Sequence, residues 1–530
     1  MPTLEWIGKQ AVVNHHREVP FRLLRCDPSL SVGDPDSGNL LVQGDNLGAL
    51  KALLPYYAGK VKCIYIDPPY NTGNEGWIYN DNVNSPEINA WLGKVVGGDL
   101  EDLSRHDKWL CMMYPRLALL REFLSEDGII AVSVDENEYR HLALLMDEIY
   151  GASNRLETLV WKKSYGGGSK SKHIVNLHEY IEIFSKRIEN IPVLSLPPDE
   201  KALKYYKHRD DQFEERGPYR LQPLATNSMD ERPNLRYAIY YKGEEIWPEK
   251  QWQWSKDRTE TALARGEILI AKKKGKWSVS YKQYLRSPEG EERTSKAYSI
   301  VDGIYTQQGT NEIKALFGDG KAFSFPKPSK LVRLLVQLMS GKNAMILDSF
   351  AGSGTTAHAV LAQNKADSGN RRFILVEMEP KICREVTAER IKRVIEGYGD
   401  QPPLGGGFRY CTLGEPLFDE TGAIRETVKF SELAAHVFLM ETGSPLPRKA
   451  TGRTPLLGVY NRRAIYLLFN GVLGDKRPQG GNVLTREVLA SLPHHDGPKV
   501  VYGESCRLGE MRLRQETIIF KQVPYDVQVR

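Results

Sequence analysis

Residues 61–66 read Val-Lys-Cys-Ile-Tyr-Ile and run without a break into Asp67-Pro68-Pro69-Tyr70. So short an apolar run, closed by two prolines, predicts a mostly buried strand that ends where a carboxylate begins. The surroundings repeat the theme. Leu40-Leu41-Val42 precedes Gly44-Asp45-Asn46, and a helix-like stretch follows over 47–54. Residues 107–124 have helical spacing and stop at Asp127-Gly128; a strand is predicted over 129–134 and a helix over 137–150. The pattern loosens over 151–160, and one more strand is predicted at 180–184. From Lys327 the alternation resumes: helix 331–339, strand 344–347, helix 355–363, strand 373–376, helix 382–395. Strands alternating with helices predict an α/β fold around a parallel sheet.

Asp67-Pro68-Pro69-Tyr70 holds three groups that suit one chemistry. The lone pair of an exocyclic aromatic amine is delocalised into its ring, so the amine is a poor nucleophile. A carboxylate accepting one N–H, here Asp67, draws the nitrogen towards sp³. The Pro68 carbonyl, held by the fixed φ of consecutive prolines, can accept the other. Tyr70 can stack on a base that has left its helix. Alone, the four residues are also compatible with a plain turn.

A second motif, Asp348-Ser349-Phe350-Ala351-Gly352-Ser353-Gly354-Thr355-Thr356, follows Met345-Ile346-Leu347 and opens a helix. Its glycines let backbone approach a ligand, and the helix start offers free N–H groups. Glu377 ends the next strand, where a ribose-binding acid belongs in such folds. A lone Gly-x-Gly turn would also serve a dinucleotide or mere packing. Two such motifs at strand ends of one chain point to a ligand site, because open sheets bind ligands at the carboxyl ends of their strands.

A length of 530 residues allows three or four domains. Residues 190–310 break the alternation with short, irregular apolar segments. Residues 161–300 hold 27 Lys+Arg against 20 Asp+Glu, and five of the nine tryptophans, in a chain of net charge +5. Basic and aromatic residues together suit a polyanion, although a solvated basic face would look the same. The flexible basic loop 166–170 and a long loop over 71–106 are expected within this plan. No leader or membrane-length apolar run appears, so a soluble, cytoplasmic protein without membrane contact is expected. The six cysteines form no Cys-x-x-Cys pair, so neither a disulfide nor a bound metal is expected.

The two motifs resemble those of the amino-methyltransferases of DNA, in the permuted β group where the Asp-Pro-Pro-Tyr loop precedes the cofactor loop. Here 281 positions separate them. Within that group the chain resembles the Mod subunit of type III restriction-modification systems. The resemblance rests on Leu41-Val42-Gln43-Gly44-Asp45-Asn46, Asp67-Pro68-Pro69-Tyr70-Asn71-Thr72-Gly73, residues 109–116, Val134-Asp135-Glu136-Asn137-Glu138, His178-Glu179-Tyr180 and Phe325-Pro326-Lys327-Pro328. It implies a Rossmann-like fold binding S-adenosylmethionine, with an inserted target recognition domain and a small C-terminal α/β region. It also implies roles for single residues. Asp45 would lie near the cofactor adenine. Asp348, Phe350, Gly352, Gly354 and Thr355 would line its methionine and ribose, and Glu377 would bond the ribose hydroxyls. Phe325 would close over the methionine end, with Lys327 on its carboxylate. Asp67, Pro68, Pro69 and Tyr70 would be catalytic.

The domains implied are an arm at 1–38, a catalytic half at 39–190, a recognition domain at 191–310, a cofactor half at 311–400 and a C-terminal domain at 401–530. The implied partners are double-stranded DNA, a second copy of the chain and a helicase-nuclease subunit. Asp at 67 favours adenine N6, since the cytosine-N4 class usually carries Ser there. No Pro-Cys pair occurs for a C5-cytosine nucleophile. A DNA-binding specificity subunit without catalysis stays open, although it would lose one of the two motifs.

Overall fold

The computed structural model describes residues 3–34, 36–71, 105–166, 173–227, 230–273, 275–471, 475–524 and 526. Residues 72–104 of the loop expected over 71–106, Thr72 and Gly73 among them, and 167–170 of the basic loop 166–170 lie outside the described residues. The chain divides into two units, Leu194–Ala297 and the remainder.

The larger unit is built on a ten-stranded sheet. In chain order its strands are β1 (Arg22–Gly33), β2 (Leu40–Gln43), β3 (Val61–Ile66), β4 (Leu124–Val134), β5 (Arg155–Lys162), β6 (His178–Ser185), β7 (Ile300–Val301), β8 (Met345–Asp348), β9 (Arg372–Glu377) and β10 (Gly407–Pro416). Their spatial order is β1-β10-β2-β9-β8-β3-β4-β6-β5-β7. The run from β10 to β4 is parallel throughout, as expected of an α/β fold. β8 and β3 lie side by side although their sequences are far apart. From β8 the chain passes through a helix, Thr355–Asp367, to β9 on one side. From β3 it passes through Arg105–Phe123 to β4 on the other. The strand order therefore reverses between β8 and β3, which is where such sheets bind ligands. This is a Rossmann-like sheet entered in the permuted order that the resemblance implied.

Burial explains the strands. Ile129 to Val134 in β4, and Cys63 to Ile66 in β3, are almost wholly inaccessible, as strands covered on both faces must be. Gly128 marks the close approach of β4 to β3: a Cβ there would stand 2.9 Å from the Val61 carbonyl oxygen. β5 escaped the sequence pattern. It sits near the sheet edge, antiparallel to β6, and buries only Leu159 and Trp161, so it lacks the unbroken apolar run of its neighbours.

Two stretches placed outside the methyltransferase domain by sequence belong to its sheet. β1 comes from the presumed arm and β10 follows the Gly-rich linker; they pair antiparallel at the edge. That pairing corrects the expectation about cysteines. Cys26 and Cys411 are cross-strand partners and form a disulfide over a sequence separation of 385. No local Cys spacing announces a bridge that only strand register creates. Trp161, counted with the basic segment, is buried in β5 instead.

The unit Leu194–Ala297 has a small core of its own, including Leu224, Ile239, Trp252 and Val279. Around it lie a three-stranded antiparallel sheet (Ile268–Lys273, Lys276–Tyr284, Tyr219–Pro223), two short ribbons and the helix Lys256–Ala264. Towards the C-terminus, within the larger unit, a four-stranded sheet (Leu456–Tyr460, Arg463–Leu467, Lys499–Gly503, Ile518–Gln522) follows the helix Phe430–Thr442. Among the described residues no helix is long and apolar enough to cross a membrane.

The bridge gives a direct test. Thiol titration of the denatured, unreduced chain should find four free thiols, from Cys63, Cys111, Cys383 and Cys506, and six after reduction. Six before reduction would remove the bridge from the protein in solution.

Candidate active site

The register of β8 on β3, with Leu347 opposite Ile64, sets Asp348 and Asp67 at neighbouring strand ends. Between them lies a narrow cavity of ≈ 30 Å³, lined by Asp67, Phe325, Lys327, Asp348, Phe350 and Gly352 among others. Thr355 also lines it; Asp45, Gly354 and Glu377 do not. Thirty cubic ångströms is about the space of one water. On the cavity's rim Phe325 holds a left-handed φ of 53° and is 58% exposed.

Lys327 lines the same cavity and turns to the Asp67 loop. Its ammonium donates to both oxygens of Asp67, at 2.7 and 2.8 Å, and to the Tyr70 hydroxyl at 2.6 Å. It lies 4.6 Å from the Tyr70 ring centre. Glu179, unassigned from sequence, closes the cluster: it accepts from Tyr70 at 3.0 Å and from Lys163 at 3.2 Å, with Lys327 at 3.5 Å. Two carboxylates and two ammoniums thus share one buried volume. Burial pushes the Asp67 carboxyl up while Lys327 pulls it back. Burial opposes the charge on Glu179 too, but Lys327 and Lys163 outweigh it and hold that carboxyl below its ordinary value. Asp67 and Glu179 likewise keep Lys327 charged against burial.

The Asp67 loop is fixed from behind. The Trp109 indole donates to the Pro69 carbonyl at 2.7 Å, so that acceptor is in use. Asn71, at φ 57° and 3% exposed, donates to Glu138 and to the Arg105 carbonyl. Glu138 is fully buried and also receives His106 Nδ1 and His141 Nδ1, each at 2.7 Å. The hydrogen bond to Glu138 raises the His141 pKa. These three side chains lie close enough to suggest metal ligands. However, tetrahedral ligands about 2.1 Å from an ion stand ~3.4 Å apart, and the 2.7 Å contacts are those of a hydrogen-bonded hub. Glu138 lay in a matched motif without a role; its 67-residue separation from Asn71 hid the contact.

The glycine loop is held by the acids the motif contains. Asp348 accepts from the Phe350 amide at 2.9 Å and from the Thr356 hydroxyl, and burial pushes its carboxyl up to about 7. Glu377, at the end of β9, accepts from the Gly352 and Glu379 amides, both at 2.9 Å. Gly354 has φ 77°, and a Cβ there would meet Thr387 at 3.2 Å, so only glycine passes. The Thr355 hydroxyl is held by Arg390 at 2.8 Å, a buried arginine without a sequence signature. Asp45 caps the helix Asn46–Tyr57 by accepting from the Gly48 amide at 2.8 Å, while Asn46 bonds the Ser349 carbonyl.

A family model described as DNA methylase matches residues 61–389. The chain is 30% identical to the Mod subunit of the type III restriction-modification enzyme StyLTI of Salmonella typhimurium, over 81% of this chain and 68% of that one. It is 32% identical to the EcoPI Mod subunit of Escherichia phage P1, over 74% and 68%. It is also 32% identical to the type II methyltransferase M.KpnI of Klebsiella pneumoniae, over 70% and 91%. This chain belongs to the DNA methylase family. Its substrate is DNA and its methyl donor is S-adenosylmethionine. The residues fit that donor. The loop from Asp348 to Thr355 has room for backbone but not for side chains at Gly354, and it carries a buried carboxylate at the end of each adjoining strand.

Two consequences of this DNA methylase geometry are measurable. Replacing Glu138 by Gln removes one acceptor from Asn71 or a histidine. It should cost about 1.5–3 kcal/mol of stability and lower kcat roughly tenfold or more through loop misplacement, with cofactor affinity held; an unchanged kcat would detach the hub from the loop. For Asp348, a folded-state value near 7 against 3.8 means the folded chain keeps a proton that the unfolded chain releases. Stability therefore falls as pH rises from 3.8 to about 7. Asp348→Asn should shrink the drop in Tm between pH 5 and pH 8, and an equal drop in both proteins would contradict the burial effect.

Proposed function

We propose that the chain methylates N6 of adenine in double-stranded DNA as the modification component of a restriction-modification system. The observation that carries this is Asp67, a buried carboxylate at a strand end beside Tyr70, one strand from the glycine loop. Asp67 accepts one N–H of the amine and the Pro68 carbonyl accepts the other. Tyr70 stacks on the extrahelical base. S-adenosylmethionine supplies an electrophilic methyl group on its sulfonium. Gly352 and Gly354 would let the loop close on the cofactor, Glu377 would face its ribose, Asp45 would border its adenine and Phe325 would cover its methionine end. Positioning and charge placement supply most of the rate. Asp67, its pKa raised by burial, holds the proton that the amine gives up.

Lys327 occupies the oxygens that the amine would address. In this reading it leaves Asp67 for the methionine carboxylate, so cofactor binding clears the catalytic carboxylate. The basic unit reads the DNA sequence. Resemblance to Mod subunits supports dimerisation through the C-terminal region and a helicase-nuclease partner in the cytoplasm of the host. The rival reading, N4 of cytosine, rests on the same amine chemistry and is disfavoured by Asp rather than Ser at 67.

Mass spectrometry of nucleosides from DNA methylated by the purified chain should find N6-methyladenine; N4-methylcytosine would overturn the base assignment. Asp67→Ala should lower transfer at least 1000-fold, on the order of 4 kcal/mol, while cofactor binding stays within a fewfold by calorimetry. Transfer within tenfold of the parent would refute the role of Asp67.

A further inference from the structure

The unit Leu194–Ala297 contains a cavity of ≈ 430 Å³ that no step above uses. Five cations line it, Arg216, Arg258, Arg265, Lys282 and Arg293, against one carboxylate, Glu267. Two of the five are neutralised locally: Arg216 pairs with Glu267 and Lys282 with Asp210, both at 2.6 Å. Among the described residues no carboxylate lies within ion-pair distance of Arg258, Arg265 or Arg293. The exposed Glu289 is held first by the Ser287 hydroxyl and feels Arg265 only at Coulombic range.

The site is built rather than a chance surface crowd. Arg216 is 8% exposed, its guanidinium lies 4.0 Å from the Tyr284 ring centre, and its Nε has no hydrogen-bond partner. The Arg258 guanidinium rests 4.2 Å from the Trp254 ring, which also contacts Tyr281 at 4.3 Å. Trp254 thus serves to orient an arginine, and the cavity presents guanidinium N–H groups rather than an open ring. Planar N–H forks without a counter-charge match the oxygens of a phosphate.

We propose that this cavity receives one or two phosphodiester groups of the DNA backbone, gripped by Arg258, Arg265 and Arg293, and so sets the register in which the unit meets its duplex. The proposal rests on the reading of this unit as the DNA-reading one. Phosphate contacts position a protein on DNA without reading its sequence. The loss on removing them should therefore be the same for every duplex.

The test uses the full chain carrying Arg258→Ala and Arg265→Ala together. Both residues are exposed, so folding should be retained, and a melting curve checks it. Duplex affinity is measured by fluorescence anisotropy across a salt series. The slope of log affinity against log salt should fall by about 1–2, near 0.9 per lost phosphate contact. The weakening should be the same factor on duplexes with and without the methylated sequence, and Arg→Lys at both sites should restore the slope. An unchanged slope, or a loss confined to one sequence, overturns the proposal. Thermal shift with inorganic phosphate separates the two sources of the anion. If the double variant loses a phosphate-induced shift while keeping the parental DNA slope, the cavity serves a small free anion and the DNA assignment falls. A parent chain that methylates no DNA would instead defeat the proposed function, whereas a methylating parent with an unaffected variant defeats only this inference.

Discussion

Everything at the active site depends on two short strands, Val61–Ile66 and Met345–Asp348, lying parallel in one sheet. Their hydrogen bonds align residues that the chain keeps far apart, so the Asp67 loop and the Asp348 loop leave the sheet from adjacent strand ends. Parallel strands cannot be joined by a tight turn, and a long crossover is unavoidable. In this chain the crossover is long enough to include a whole further unit, Leu194–Ala297. The same arrangement closes at the sheet edge, where β1 and β10 pair and carry Cys26 and Cys411, 385 positions apart in sequence.

Within that frame the catalytic loop is balanced by charge. A buried ion is expensive unless it is paired and hydrogen-bonded. Burial raises the Asp67 pKa, and Lys327 opposes that rise. Lys327 and Lys163 offset Asp67 and Glu179, so each carboxylate keeps its acceptors. Lys327 lies within reach of both acids, so removing it would take the shared counter-charge from Asp67 and Glu179. The cluster is therefore sensitive to single changes in a way that surface pairs are not.

How much of this could be read from sequence follows from the range of each interaction. Strands covered on both faces and helices with apolar stripes announce themselves locally, which is why the parallel core and both motif loops were legible. β5 was not: next to the sheet edge it buries only two side chains, Leu159 and Trp161, and its other residues are free to be polar. Asp67 and the glycine loop were legible because their chemistry is compressed into neighbouring residues. Glu179, Lys163, Glu138 and Arg390 act through contacts made only by folding, and nothing beside them in sequence says so. Lys327 illustrates the intermediate case: its place in the site was legible from Phe325-Pro326-Lys327-Pro328, but its partner was not. Which acid a flexible lysine chooses depends on three-dimensional reach.

The position of Lys327 also constrains how the site can be loaded. An ammonium with three donors, already spread over both Asp67 oxygens and Tyr70, competes directly with any amine brought to the same oxygens. A neutral amine is the weaker donor and cannot displace a buried, charged one unaided. The lysine needs another anion within reach before it will leave. Glu179 is near at 3.5 Å but is already shared with Lys163 and Tyr70. A carboxylate arriving in the cavity between Asp67 and Asp348 would serve, and the methionine end of the donor carries one.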